Sequence, residues 1–272
     1  VFMSEPQLGA IHYNWPGYDL EGFARRASEI GFKFCEVRAS DIWVDDSVDG
    51  ANRAEEVREM LDGYGMKISA VEIGNDFLQA DPADLEMQIE RYCQRCKVIP
   101  LTGCDIARSD GGWNRDDQVP QDQWDGMMLE AFKRCADVLE ESGTRIALDN
   151  HGITTNDGDW QLSLIERVGS DRLGVNLDTM NYRWFGHELS SIDRFYEVLA
   201  PHVFHVHMKD GVGSRENYKG AELGSGEINL SHVVNLLQGV GYEGAWTAEY
   251  EGPEAEGGVG YEKCFKWLSE NV

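Results

Sequence analysis

Glu141-Ser142-Gly143-Thr144-Arg145-Ile146-Ala147-Leu148-Asp149-Asn150-His151-Gly152 holds one full structural transition. Before it, residues 123–141 place Met127, Met128, Ala131, Phe132, Cys135, Val138 and Leu139 at helical spacing. Gly143 stands just past that run, where a left-handed helix C-cap favours glycine. Residues 145–148 then form a short run of strand character, and the run ends abruptly in polar side chains, Asp149-Asn150-His151. Helix, glycine, strand and polar strand end follow one another with no spare residues.

The same rhythm extends in both directions. Strands are expected at 9–14, 34–38, 68–73, 105–109, 145–150, 173–177, 203–208 and 245–250. Helical segments lie between them, such as 20–30 with Phe23, Ala24, Ala27 and Ile30 on one face. Gly31, Gly65 and Gly241 follow helical runs as Gly143 does. Strict alternation of strand and helix argues for a parallel sheet covered by helices. Eight such units in 272 residues match the length of a closed (β/α)8 TIM barrel. No GxGxxG or GxxxxGK[ST] follows the first strand, which removes the usual signature of the open nucleotide-binding sheets. No linker or break in composition interrupts the chain, so residues 1–272 are expected to form one barrel domain.

A parallel barrel is expected to keep apolar strand interiors and to gather chemistry at the C-terminal strand ends. Asp149, Asp178, His207 and Glu249 stand at the ends of strands five to eight, separated by 29, 29 and 42 residues. Twenty-nine residues is about one strand–helix repeat, so the four are expected at corresponding heights, pointing at one centre. A single aspartate at a strand end usually caps the next helix. Three carboxylates brought together raise one another's pKa and call for a cation. Three carboxylates and one imidazole suit Mn²⁺ best, with Mg²⁺, Co²⁺ and Zn²⁺ as alternatives.

At these residues the chain resembles the xylose-isomerase-like TIM-barrel superfamily of sugar-phosphate and keto-sugar isomerases and epimerases. The segments that carry the resemblance are LDNHG (148–152), NLDTMN (176–181), HVHMKD (205–210), LGSGEINL (223–230) and AEYEG (248–252). It implies that Asp149, Asp178, His207 and Glu249 bind one metal ion. It also implies that Asp149 and Glu249 move the substrate proton through a metal-bound enediolate. The family usually has Glu where this chain has Asp149, whose shorter arm leaves its role as base open; His151, two residues on, is the other candidate base. Asn181, Lys209, Arg215, Glu36 and His12 are candidates for holding a carbohydrate substrate. Glu36, Arg38, Glu72 and Arg108 fit either pocket lining or interior ion pairs, and Trp15 and Trp113 fit either a sugar-stacking wall or packing at the barrel mouth. The activity implied is a metal-dependent sugar or keto-polyol isomerase or epimerase. The alternative is a lyase or dehydratase of the same fold, acting on keto-sugars, inososes or oxidised glycosides.

Composition narrows the partners. With 49 acidic and 24 basic residues the net charge is −25, which repels nucleic-acid backbones. No run approaches the ~20 apolar residues that span a bilayer, and no basic-then-apolar leader opens the sequence, so a cytoplasmic protein is expected. The six cysteines show no disulfide framework, and Cys93 and Cys96 form a lone CxxC inside a helical stretch, read as buried thiols. Relatives often form homo-oligomers, for which Trp124, Trp184 and Phe185 are interface candidates, or else cover for the barrel mouth.

Overall fold

The computed structural model describes residues 5–44, 49–113 and 118–272. Strands β1 (Leu8–Ile11), β2 (Phe34–Val37), β3 (Lys67–Glu72), β4 (Ile106–Ser109), β5 (Arg145–Asp149), β6 (Leu173–Asp178) and β7 (Val203–Met208) follow in order. A small hairpin comes next, β8 (Asp210–Val212) with β9 (Lys219–Ala221), and then β10 (Trp246–Ala248). The seven strands and β10 pair in parallel in the order β1-β10-β7-β6-β5-β4-β3-β2 and close on themselves, a (β/α)8 barrel. The hairpin β8–β9 is an antiparallel pair outside the ring.

The helices are α1 (Leu20–Ile30), α2 (Ala39–Ile42), α3 (Ala51–Gly63), α4 (Pro82–Cys96), α5 (Gln121–Leu139), α6 (Gly158–Val168), α7 (Asn181–Phe185), α8 (Leu189–Leu199), α9 (Leu230–Gly239) and α10 (Val259–Asn271). Gly31, Gly65, Gly143 and Gly241 all take positive φ just beyond helices, as their spacing predicts. Asp19, Asp81 and Asp157 accept N–H groups from the first turns of α1, α4 and α6. Large apolar side chains such as Phe23, Phe32, Phe132 and Leu199 are fully buried. All six cysteines are buried free thiols. Among the described residues no helix is long and apolar enough to cross a membrane.

Strand contact can be so close that only glycine fits. A Cβ on Gly174 in β6 would lie 2.4 Å from the His202 carbonyl oxygen and 2.7 Å from the Phe204 ring. Gly174→Ala is therefore expected to cost about 1–3 kcal/mol, as overpacking does. Gly63, at the end of α3, has open space around its Cβ position, and Gly63→Ala should leave stability unchanged or slightly improved. Urea unfolding midpoints of the two variants check the contrast.

The expectation of apolar strand interiors is corrected here. Glu36, Asn176, His205 and Thr247 are all fully buried on barrel strands. His205 Nδ1 lies 2.8 Å from Asn176 Oδ1, and its Nε2 lies 3.0 Å from Thr247 Oγ1 and 3.1 Å from Ser69 Oγ. Burial pushes His205 down to about 3, so the ring is neutral. A polar layer persists inside the barrel because its members are mutually hydrogen-bonded.

Candidate metal centre

Strand register decides which polar ends meet. Asp178 on β6 pairs with His207 on β7. Asp149 on β5 pairs with Asn176, two residues before Asp178, and His207 pairs with Thr247, two before Glu249. Equal heights therefore hold for Asp178 and His207 but not for all four residues: the strands of a barrel are staggered around its axis. One ligand atom each from Asp178, His207 and Glu249 lies within 4.8 Å of the others, and all three residues are buried.

Each of the three is fixed by its surroundings. Asn150 clamps the backbone of Asp178: its Oδ1 accepts the Asp178 N–H at 2.9 Å, and its Nδ2 donates to the Asp178 carbonyl at 3.0 Å. Asp178 Oδ1 accepts the N–H groups of Met180 and Asn181, both at 2.8 Å. Asp178 Oδ2 is buried with no hydrogen-bond partner, and the nearest cation is Lys209 Nζ at 3.7 Å. Burial, with the Glu249 and Asp149 carboxylates nearby, pushes Asp178 up to about 7 against the pull of Lys209. His207 Nε2 lies 2.6 Å from Glu36 Oε2, and Nδ1 lies 3.0 Å from Glu249 Oε2. Burial opposes the charge on Glu36, but His207 and Arg108 overcome it and hold the group at about 2. Burial opposes the charge on His207, but Glu36 and Glu249 on its two nitrogens hold the ring well above the usual imidazole range, so both nitrogens donate. A bound cation would take the place of the Nδ1 proton, with Glu36 keeping the other on Nε2, as carboxylates behind metal-binding histidines do.

Asp149 is drawn into a different cluster. Its Oδ1 accepts from Asn176 Nδ2 at 2.6 Å, and its Oδ2 lies 3.3 Å from Arg108 Nη1 and 3.4 Å from His151 Nδ1. Arg108 also holds Glu36 at 3.1 Å and Asp110 at 3.2 Å. Burial works against charge on His151, yet its bond to Asp149 and the nearby Asp110 raise it to about 9. His151, Asp149, Glu36, His207 and Glu249 all face one cavity of about 310 Å³, with Trp113 on its wall.

His12, Asn181, Lys209 and Arg215, the other expected substrate contacts, do not line this cavity. His12 is buried, 2.9 Å from Asp41 and stacked on Phe23, and does not line the cavity. Lys209 Nζ is held by Glu249 at 2.9 Å, Glu251 at 3.0 Å and the Asn181 amide oxygen at 3.3 Å. Arg215 stacks on the Phe185 ring and donates to the Phe185 carbonyl on the outer surface. Trp15 is packed against Tyr261. Asn150, Asn176 and Asp110 were not singled out from the sequence, although the first two sit inside the quoted motifs. A larger cavity of about 600 Å³ opens at the N-terminal strand ends between Lys67, Arg145 and Tyr242. Among the described residues it brings together no set of metal-ligating side chains.

The sequence profile of the xylose isomerase-like TIM barrel matches residues 24–271. The chain belongs to that family. Within the range of known proteins, it is 28% identical to an inosose isomerase of Halalkalibacterium halodurans over 139 residues, 46% of this chain and 48% of that one. The matched region thus spans about half the length of that relative. A family barrel from Mycobacterium smegmatis solved with magnesium superposes with a TM-score of 0.75 at 17% identity, covering 97% of this chain and 95% of that one. A 3-keto-D-glucoside 4-epimerase from E. coli gives 0.75 at 14% identity, covering 97% and 99%. At such identities the superpositions speak for the fold alone.

Proposed function

We propose that the chain is a divalent-metal-dependent isomerase or epimerase of a sugar or keto-polyol. The observation that carries this reading is the buried Asp178–His207–Glu249 triad, with Asp178 Oδ2 left unpaired beside it. Oxygen, nitrogen and oxygen donors around an unsatisfied buried carboxylate fit a cation such as Mn²⁺, Mg²⁺, Co²⁺ or Zn²⁺. The 28% identity to an inosose isomerase over 139 residues supports the same reading.

Asp178, His207 and Glu249 would hold the ion, and Asp149 is the fourth position that the family pattern implies. When bound, the ion supplies Lewis acidity that makes the C–H beside a substrate carbonyl removable. The protein's own groups handle the proton. Glu249 Oε2 and His151 both face the cavity, one within the triad and one outside it. We assign His151 as the proton carrier outside the triad, with Asp149 orienting its ring through Nδ1. Glu36 acts one step back, by keeping the proton of His207 on Nε2.

Protein reconstituted in turn with each of the four ions, then offered ketoses, inososes and 3-keto-glycosides in D₂O, should exchange a carbon-bound proton for deuterium in at least one substrate. His151→Asn should slow that exchange about 10²-fold and leave ion binding intact. A fully active ion-free protein would refute the reading, and loss of water from the substrate would move it to a dehydratase. Glu36→Gln is expected to weaken ion affinity 10–100-fold in a chelator competition titration.

A further inference from the structure

We infer that this cavity takes uncharged carbohydrates and rejects phosphorylated ones. The inference rests on the proposed carbohydrate reading of the same site. Six carboxylates line the cavity: Glu36, Glu72, Asp110, Asp149, Glu249 and Glu251. Among the described residues, the buried cations Arg108 and Lys209 at this site are already committed. Arg108 is shared by Glu36, Asp110 and Asp149 at 3.1–3.3 Å. Lys209 lies within 3.0 Å of both Glu249 and Glu251. His151 is held by Asp149, and Arg38, half exposed at the rim, is among the described residues the one lining cation with no close partner, 3.9 Å from Asp41. Arg215 is turned out onto Phe185.

The backbone tells the same story. In (β/α)8 barrels a phosphate commonly sits on the loops after strands seven and eight, on backbone N–H groups. Here the loop after β7 supplies such a nest, and the chain fills it itself. Asp210 Oδ1 accepts from Gly211 N at 2.9 Å and Ile228 N at 3.3 Å, and Oδ2 accepts from Gly224 N and Gly226 N, both at 3.0 Å. A Cβ on Gly226 would lie 2.0 Å from Asp210 Oδ1, so the loop is closed tightly around this carboxylate. A phosphate entering the cavity would meet carboxylate walls and no vacant backbone nest after β7. A neutral polyol needs only hydrogen bonds, which those same walls supply.

The test is a paired panel on ion-loaded protein in D₂O: D-fructose, D-psicose, an inosose and a 3-keto-glucoside, against fructose 6-phosphate and psicose 6-phosphate. Exchange confined to neutral members supports the inference. Exchange in the phosphate esters with kcat/KM equal to or above that of the neutral sugars overturns it and leaves the carbohydrate reading standing. Exchange in no member overturns the carbohydrate reading and this inference with it. Glu251→Gln gives a second readout. Removing that wall charge, with Lys209 still held by Glu249 and Asn181, should raise the phosphate-ester to neutral-sugar ratio of kcat/KM on the order of tenfold; an unchanged ratio counts against electrostatic exclusion.

Discussion

His207→Ala is expected to remove the bound divalent ion and to lower turnover by about 10³-fold or more, equivalent to ~4 kcal/mol of transition-state stabilisation. The substitution deletes the nitrogen that stands 3.0 Å from Glu249 and takes away the hydrogen-bond donor of Glu36. Two negative groups are then left facing each other with less to hold an ion between them. Ion content by atomic emission and deuterium exchange on the best substrate measure the two losses, with circular dichroism to confirm folding. A variant that keeps one equivalent of ion at the full rate would dismiss the centre. Asp149→Asn is the informative companion. Loss of ion along with turnover makes Asp149 a ligand, whereas retained ion with lost turnover makes it the partner of His151.

Arg108→Met is expected to destabilise the fold by about 3–5 kcal/mol, the range for removing one member of a buried ionic cluster. Glu36, Asp110 and Asp149 all rely on this guanidinium, at 3.1, 3.2 and 3.3 Å, and all three are buried. Methionine fills much of the volume but leaves three carboxylates with no cation at that point. Guanidinium unfolding, compared by midpoint at unchanged slope, measures the effect. A loss under about 1 kcal/mol would show that the carboxylates find other partners or take up protons at little cost.

The barrel was readable because each repeat carries local signals: a helical period, a C-cap glycine, a short apolar run and a polar end. Gly31, Gly65, Gly143 and Gly241 report the helix ends through backbone conformation alone. The residues of the triad were readable for the same reason, since they sit where strands stop. What local patterns do not encode is stagger. Asp149 meets Asn176 instead of standing level with Asp178, and that depends on how the ring closes. Contacts across the barrel are equally hidden. Glu36 reaches Arg108 over 72 positions and His207 over 171, and no spacing rule links them. His12 and Arg215 have the right chemistry for substrate contact, but Asp41 and Phe185 claim them first. The β8–β9 hairpin was missed because three-residue strands are too short to show alternation.

The ring is sealed where β1 sits between β2 and β10. Asn14 binds the Tyr250 carbonyl from 236 positions away, and the Trp246 N–H reaches the Gln7 carbonyl. On a ribosome adding 5–20 residues per second, β1 waits roughly ten to fifty seconds for its second neighbour to be made. Through that interval the nascent polypeptide presents an unpaired strand edge, the feature through which chains stick to one another. Glu249, one residue past the closing strand, is the last of the triad to be made, so the three side chains meet only once that strand has left the ribosome.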